Sequence, residues 1–326
     1  MNISYQNIKI EKATESDHWE LLTFLVTNYP DLGWTKKFMQ WQYYENPAGI
    51  AKSWVAKHNG NVIANYTAIP HTLLVNGKPE KSWRVQDVIT HPDYRGLGLY
   101  SKLSDSANGF LQQVNFPLNF TFPNENSHQG FIKRNWINPN KIPLWMNHDV
   151  KNLEAKELAL NIEPLTEFTQ KDEQIWKSYS KSTAFTIDRS AAYLNWRYIG
   201  NPRGGYYPFR LSDGDLSAVC IIKIYVNDKG EKFSHLLDCF YEEGFEKIHE
   251  IIAFFMQYSN KDEVKLASAW FQPQSEIAKH LIENNFELNL NLTRWHVLNI
   301  NSSTLDKTKV SNFSNWHISM GDTDVY

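Results

Sequence analysis

The chain has 326 residues, enough for two domains of ordinary size or one large one. Lys and Arg number 33 against 36 Asp and Glu, and the net charge of −3 argues against a nucleic-acid partner, which would favour a basic face. The sequence shows neither a secretory leader pattern nor an apolar run of about 18 residues, so we expect a cytoplasmic protein with no membrane partner.

The chain contains two cysteines, and no metal ligands are predicted. Cys220 and Cys239 both lie in strand-like apolar runs. This setting favours buried free thiols in a reducing compartment over a disulfide bond.

The first distinctive element is an aromatic segment, Trp41–Gly49, that occurs twice. It recurs as Trp196–Gly204, 155 residues later, with five of nine positions identical. An Asn-Gly hairpin turn follows the first copy at Gly60, and an Asp-Gly turn follows the second at Gly214.

Further landmarks repeat in the same order with a slowly changing offset. They are Asp87 with Asp238, and the pair Asn135-Trp136 with Asn285-Phe286. Ordered repeats of this length indicate duplicated structural units. We therefore predict two copies of one α/β unit, joined near residues 148–170, with domains at 1–150 and 151–326.

The next elements are a strand, a glycine-containing turn and a helix. Trp83–Thr90 is rich in apolar and β-branched residues, and Tyr100–Val114 has the apolar spacing of an amphipathic helix. Between them lies Arg95–Tyr100, where glycines permit close backbone approach and the helix N-terminus favours an anion. The arrangement predicts a pyrophosphate-binding site.

Two common phosphate motifs do not fit this turn. A Walker loop needs four residues between its glycines and then Lys followed by Ser or Thr. A dinucleotide fingerprint needs a third glycine, but Ser101 stands at that position.

The segment Val88–Tyr100 resembles the acyl-CoA loop of GNAT N-acyltransferases, in which a strand and a Pro precede a Gly-x-Gly turn that opens a helix. The resemblance implies an α/β (α+β) fold of two tandem GNAT-like domains, each with a mixed, mostly antiparallel central sheet flanked by helices. It also implies acyl-CoA as the donor. In the second copy, Tyr241–Lys247 carries three acids and one glycine, so that domain is expected to bind no CoA and to serve acceptor binding or structure.

The same resemblance assigns the acyl-CoA ligands. Pantetheine and the thioester would contact the strand end, and Asn124 and Ser127 would lie beside the pantetheine arm after strand Leu118–Phe122. Asn124 would equally suit a helix cap. The predicted cofactor-binding residues are Val88, Ile89, Thr90, Arg95, Gly96, Leu97, Gly98, Leu99, Tyr100, Asn124 and Ser127.

The catalytic residues are less well defined by the sequence. Asp87, one residue before the strand end, is the first candidate base, although it could instead pair with Arg84 or Lys81. His71 is the second, because the ordinary pKa of histidine suits proton transfer. Phe131 stands where many GNAT sequences carry a proton-donating Tyr, so that acid is absent or replaced by Ser127 or water.

For the acceptor, the resemblance places Trp41, Tyr43 and Asn46 in the covering loop, while a core role shared by both copies is the alternative. Arg197 and Arg203 could bind a nucleotide diphosphate. The whole chain resembles tandem-GNAT sugar N-acyltransferases of surface-polysaccharide (lipopolysaccharide or capsule) pathways. That likeness implies a nucleotide-linked amino sugar, dTDP-3-amino-3,6-dideoxyhexose, as acceptor and a 3-hydroxybutanoyl or acetyl donor.

Two other functions stay open. A non-catalytic acyl-CoA sensor would account for Phe131. Transfer to a peptide, or from aminoacyl-tRNA as in tandem-GNAT cell-wall enzymes, is the other, although the net charge of −3 gives little support for tRNA binding.

Overall fold

The computed structural model describes residues 7–114, 116–150, 157–261, 263–300, 302 and 305–325, without the side chains of 138 and 139. The chain divides into two compact units. Unit 1 comprises Met1–Thr72, Glu80–Asn140 and Trp295–Ser311. Unit 2 comprises Leu73–Pro79, Lys141–Arg294 and Asn312–Tyr326.

Both units contain strands and α-helices. The strands are β1 (Ile8–Lys12), β2 (Lys52–His58), β3 (Asn61–Val75), β4 (Lys78–Thr90), β5 (Leu118–Thr121), β6 (Ile137–Lys141), β7 (Leu144–Asn147), β8 (Asn161–Pro164), β9 (Phe185–Ile187), β10 (Tyr206–Asp213), β11 (Leu216–Val226), β12 (Lys232–Tyr241), β13 (Leu266–Trp270), β14 (Glu287–Asn289) and β15 (Trp295–Ile300). The helices are α1 (Glu15–Asn28), α2 (Lys36–Tyr44), α3 (Leu99–Gln113), α4 (Glu125–Ile132), α5 (Gln170–Ser180), α6 (Ala191–Leu194), α7 (Ile248–Lys261), α8 (Glu276–Glu283) and α9 (Lys307–Ser311).

The two sheets have matching strand orders. In unit 1 the order is β1-β2-β3-β4-β5-β15-β6, and in unit 2 it is β8-β10-β11-β12-β13-β7-β14. Each sheet has antiparallel hairpins at one side and one internal parallel pair, β4 with β5 and β12 with β13. The predicted fold class, two tandem GNAT-like α/β domains with mixed sheets flanked by helices, is confirmed.

One strand of each repeat completes the sheet of the other repeat. β7 follows the first repeat in sequence but pairs with β13, and β15 follows the second repeat but pairs with β5. The compact units therefore differ from a simple division at residue 150. Sequence periodicity identified the repeat but carries no information on which sheet a terminal strand joins, because both sheets offer an equivalent edge.

The duplication extends to polar details that the sequence analysis did not use. Thr14 caps α1 and Thr169 caps α5, each in a capping box with an aspartate three residues later. In both units that aspartate also pairs with a basic residue of the following hairpin. The ion pairs are Asp17–Lys57 and Asp172–Arg210. Asn161–Pro164, expected in the joining segment, forms β8 beside β10.

Each sheet packs its apolar face against helices. In unit 1 the core includes Leu103, Ala107 and Leu111, the α3 stripe predicted from helical spacing. In unit 2 both Cys220 and Cys239 are buried as free thiols. Burial raises the pKa of both thiols, which keeps them protonated and unreactive.

Candidate active site

The strands β4 and β5 separate at the point where the CoA site was predicted. Their parallel register runs from Ser82 opposite Leu118 to Val85 opposite Thr121. β5 ends there, whereas β4 continues to Thr90. The side chains change from buried to half-buried along this extension, which contains the predicted ligands Val88, Ile89 and Thr90. Main-chain groups on this extension can therefore face a ligand in the opening between the two strands.

The glycine turn connects this extension to α3. Gly96 and Gly98 have φ values of 80° and 69°, a left-handed conformation that glycine adopts without steric cost. Gly98 is the cap residue of α3, so the first N–H groups of the helix point to the turn. Gly96 and Gly98 are exposed and Leu97 is half-buried, while Leu99 anchors the helix in the core. These features provide the geometry expected for an anion site at a helix N-terminus.

Arg95 has a local structural role beside this turn. Its Nη2 donates to the Tyr29 hydroxyl at 3.2 Å, and its Nε donates to the Thr90 carbonyl at 3.4 Å. Tyr29 also donates to the same carbonyl at 2.8 Å. The guanidinium nevertheless remains exposed, so its charge is available at the mouth of the turn.

The side chain of Tyr100 packs against α4. Its ring makes an edge-to-face contact with Phe131, at a centroid distance of 5.8 Å, and it fills the space above Gly130, where a Cβ would come within 2.8 Å of it. Burial raises the pKa of the Tyr100 hydroxyl, so it is protonated at neutral pH. Only the main chain of this residue is placed for an anion.

Asn124 acts as the N-cap of α4. Its Oδ1 accepts hydrogen bonds from the Asn126 and Ser127 amides and from Ser127 Oγ, each at 3.1 Å. The cap interpretation is therefore correct for Oδ1. Binding of pantetheine by Asn124 or Ser127 stays a prediction.

Asp87 has an unusual backbone and a crowded carboxylate. Its φ is 51°, a left-handed conformation that costs a non-glycine residue about 1 kcal/mol. Oδ2 accepts from Tyr43 Oη at 3.0 Å, from Gln86 Nε2 at 3.1 Å and from Gln42 Nε2 at 3.3 Å. Asn65 Nδ2 donates to its carbonyl at 2.7 Å. Three neutral donors therefore position this side chain, and the pairing with Arg84 or Lys81 considered from the sequence stays untested.

Tyr43 and Asp87 are thus brought together, while His71 lies elsewhere in the sheet. Tyr43 is fully buried on α2. His71 is buried on β3 with its ring 5.7 Å from Phe120. Of the two predicted catalytic residues, Asp87 is the one that combines partial exposure with the open end of β4.

Trp41 and Asn46 have the surroundings expected for the alternative considered from the sequence, a structural role in the core that both copies share. Trp41 is buried and stacks 5.3 Å from Phe38. Asn46 accepts from the Ala48 amide and donates to the Pro70 carbonyl, both at 2.9 Å, which closes the Asn-Pro turn. Their contact with an acceptor stays a prediction.

Arg197 and Arg203 both bind the C-terminal segment in unit 2. The buried Arg197 donates to the carbonyls of Gly321 and Thr323 at 2.9 and 2.8 Å, and Arg203 donates to that of Asp324 at 2.9 Å. These donors are engaged with main-chain oxygens, and binding of a nucleotide diphosphate by them is untested.

Unit 2 repeats the tyrosine–aspartate pair of unit 1 in a closed environment. Tyr198 Oη donates to Asp238 Oδ2 at 3.0 Å. The fully buried Arg189 donates to the same oxygen at 2.7 Å and to Asp322 at 2.8 Å. Although burial opposes ionisation, the Arg189 charge holds the pKa of Asp238 at about 2. A methyl group on Gly321 would overlap the Tyr198 hydroxyl, so the C-terminal segment seals this pair.

Glu242 and Glu243 belong to the segment Tyr241–Lys247, which stands in unit 2 where unit 1 has the glycine turn, and both make hydrogen bonds. Glu242 Oε2 accepts from the Ser217 amide at 2.7 Å, and the Glu243 amide donates to Ser178 Oγ at 3.0 Å. Carboxylates at this position disfavour a bound pyrophosphate.

Sequence reasoning missed the polar groups around Asp87 and the ion pairs around Asp238. Asn65 and Thr67 could have been noticed as polar residues inside the apolar strand β3. Arg189 and Asp322 are 133 residues apart and follow no motif, so no local signal identifies them.

The described residues contain no group of three or more His, Cys, Asp and Glu residues arranged to hold a metal ion. Among the same residues, no helix is long and apolar enough to cross a membrane.

Residues 9–134 match the family model of the acetyltransferase (GNAT) domain. No curated protein matches the chain. Residues 9–134, most of which lie in unit 1, therefore form a GNAT domain that contains the glycine turn and Asp87.

Solved structures resemble nearly the whole chain. A GCN5-related N-acetyltransferase from Anabaena variabilis has a TM-score of 0.70 at 14% identity, with 90% of this chain and 73% of that chain covered. A conserved protein from Enterococcus faecalis, a probable N-acyltransferase, has a TM-score of 0.67 at 9% identity, with coverages of 90% and 72%. N-myristoyltransferase from Saccharomyces cerevisiae with bound myristoyl-CoA has a TM-score of 0.59 at 13% identity, with coverages of 92% and 84%. At these identities the likeness shows the fold.

Through residues 9–134 the chain carries an acetyltransferase (GNAT) domain, and this domain supports acyl-CoA-dependent N-acyl transfer.

Proposed function

We propose that unit 1 transfers an acyl group from acyl-CoA to a primary amine, with Asp87 as the general base. One observation carries this proposal. A half-buried carboxylate stands in a left-handed conformation at the open end of β4, beside the glycine turn that opens α3. Backbone strain of this kind is concentrated at functional sites.

The residues around the opening support a division of roles. The main-chain N–H groups of Gly96–Leu99 would hold the pyrophosphate, and Val88–Thr90 would contact pantetheine and the thioester carbonyl. Asp87 would remove the proton from the acceptor ammonium, which frees the nitrogen lone pair for attack. Tyr43 and both glutamines would fix the carboxylate for that step.

The leaving thiolate needs a proton from another group. Phe131 is buried and has no acidic hydrogen. Ser127, near the N-terminus of α4, or a water molecule would supply it. The amine proton lost on collapse to the amide is equally able to reach the sulfur.

For the acceptor we propose the amino group of a nucleotide-linked amino-deoxysugar, dTDP-3-amino-3,6-dideoxyhexose, with a 3-hydroxybutanoyl or acetyl donor. The support is the resemblance of the sequence to tandem sugar N-acyltransferases. A carboxylate positioned by the Tyr43 hydroxyl and the Gln42 amide suits an ammonium acceptor, because its negative charge attracts the ammonium group and can accept its proton. In this proposal the enzyme serves surface-polysaccharide synthesis.

Thiol release tests the proposal. Acetyl-CoA and 3-hydroxybutanoyl-CoA are each mixed with the amino-sugar nucleotide, with other nucleotide amino sugars and with peptide amines. We expect the fastest release with an amino-sugar nucleotide, whereas faster release with a peptide would overturn the acceptor proposal. CoA binding without release from any pair would instead support the acyl-CoA sensor.

The Asp87→Asn variant tests the base. It should lower kcat by about 100-fold or more, the usual contribution of a general base, and should still bind CoA in calorimetry. Release at the wild-type rate would exclude Asp87 as the base.

A further inference from the structure

We propose that a buried chain of side chains, Tyr43–Thr67–Ser53–His18–Tyr44, conducts the proton taken up by Asp87 to the protein surface. The inference rests on the proposed function, because it supplies the step that resets the base. It assigns positioning and relay roles to His18, Ser53 and Thr67, which have no other role in the proposed reaction.

The chain is continuous by hydrogen-bond distance. It starts at Asp87 Oδ2, which lies 3.0 Å from Tyr43 Oη, and then passes 3.1 Å to Thr67 Oγ1. Ser53 Oγ is the next atom, at 2.8 Å from Thr67, and His18 Nε2 follows at 3.2 Å. Every one of these contacts links groups that can both donate and accept.

The far end of the chain reaches solvent. His18 Nδ1 lies 2.6 Å from Tyr44 Oη, and Tyr44 is half-buried, whereas His18, Ser53 and Thr67 are buried. Imidazole has one nitrogen at each end, so His18 can accept a proton at Nε2 and release one from Nδ1. Burial is the main reason that the pKa of His18 falls to about 4, while Asp17 raises it and Lys52 lowers it further. The ring is therefore neutral at rest and charges only transiently.

Comparison with unit 2 favours a function for this chain. Buried hydroxyl and imidazole groups cost free energy unless they are hydrogen-bonded, so a core has no intrinsic need for them. Counting from the hairpin glycines Gly60 and Gly214, the positions of Asn65 and Thr67 correspond to Val219 and Ile221 in unit 2. Unit 2 thus keeps the tyrosine–aspartate pair but has Ile221 where unit 1 has the relay hydroxyl of Thr67.

Each proton that the acceptor ammonium loses in one turnover has a defined destination. The acceptor ammonium gives one proton to Asp87, and the second amine proton leaves with the CoA thiol. Asp87 then passes its proton to Tyr43 Oη, and each hydroxyl passes its own proton outward, to Thr67, Ser53 and His18 Nε2. His18 releases the Nδ1 proton through Tyr44 to water. The chain ends with every O–H directed toward the ionised carboxylate and with the His18 proton on Nε2. Before the next turnover the hydroxyls rotate and His18 exchanges this proton for one on Nδ1.

Ser53→Ala interrupts the relay without touching Asp87. The control is Ser217→Ala, which removes a buried serine hydroxyl from the corresponding hairpin of unit 2, where it lies 3.0 Å from Ser212 Oγ. Thiol release is measured with the donor–acceptor pair that the wild-type protein uses fastest, in dilute buffer and with added imidazole. We expect kcat of Ser53→Ala to fall about 10-fold with unchanged KM, and imidazole to restore most of it by accepting the proton from Asp87 directly. Ser217→Ala should keep the wild-type kcat.

A second relay variant, Thr67→Val, keeps the side-chain shape and should behave in the same way. Wild-type kcat in Ser53→Ala in dilute buffer would overturn the relay, as would a loss that imidazole does not restore. A separate result tests the proposed function. Wild-type activity of Asp87→Asn, or no thiol release from any donor–acceptor pair, would contradict it, and the relay proposal would then be contradicted as well.

Discussion

The two units contain the same tyrosine–aspartate pair in opposite surroundings. In unit 1, Asp87 is half-buried, accepts hydrogen bonds from Tyr43 and two glutamines, and stands beside a glycine turn. In unit 2, Asp238 is fully buried and pairs with the Arg189 guanidinium under the C-terminal segment. The same pair thus occurs in both repeats, and in unit 2 the buried Arg189 gives Asp238 a structural role, whereas we propose a catalytic role for Asp87. The predictions below separate these two roles.

The largest expected effect is on the stability of unit 2. Arg189→Ala leaves two buried carboxylates, Asp238 and Asp322, without their cation. Removing one partner of a buried ion pair typically costs about 3–5 kcal/mol. Urea unfolding should show a loss in this range for Arg189→Ala and a loss of about 1 kcal/mol for Asp87→Asn. Equal losses would mean that both aspartates are structural.

The next effect is a pH dependence that originates in the relay of unit 1. The folded-state pKa of His18 is about 4, against about 6.5 for an unfolded chain. The unfolded state therefore binds more protons in this window, and the stability contributed by neutral His18 is lost as pH falls from about 6.5 to 4. The linkage amounts to about 3 kcal/mol. His18→Gln should flatten the stability curve between these pH values, and an unchanged curve would show that His18 is accessible to protons in the folded state.

The third effect concerns the turn that only unit 1 retains. Gly98→Glu places a side chain at φ 69° and a carboxylate where the pyrophosphate is expected. Calorimetry with CoA should show affinity reduced about 100-fold or more, or about 2.7 kcal/mol. Glu243→Ala in the corresponding turn of unit 2 is the control and should bind like the wild type. Normal binding by Gly98→Glu would place the CoA site elsewhere.

The smallest effect is expected from Arg203→Ala. This exposed arginine donates to the Asp324 carbonyl, and surface contacts of this kind usually contribute about 0.5 kcal/mol or less. Unfolding and thiol release should both remain near wild type. A raised KM for a nucleotide-linked acceptor, with stability unchanged, would instead support the diphosphate role that the sequence suggested.

Local features of the site could be read from the sequence. The turn Arg95–Tyr100 is defined by glycines and by the change from strand to helical periodicity, both of which are local properties. The repeat was visible because Trp41–Gly49 and Trp196–Gly204 share a turn with fixed chemistry. Asp87 was found by its position relative to the turn.

Contacts between distant residues were not predictable in the same way. Tyr43 and Asp87 are 44 residues apart, and only the packing of α2 on the sheet brings them together. Arg189 pairs with Asp322 because the C-terminal segment folds over the Tyr198–Asp238 pair of unit 2. The exchange of β7 and β15 depends on which sheet edge each strand meets, and the two edges are equivalent in pattern.

The central claim is that one of the two units binds acyl-CoA. Titration of the full chain with CoA in a calorimeter measures this directly as a stoichiometry. We predict one CoA per chain, with that binding lost in Gly98→Glu. Two CoA molecules per chain, or one that persists in Gly98→Glu, would contradict the account.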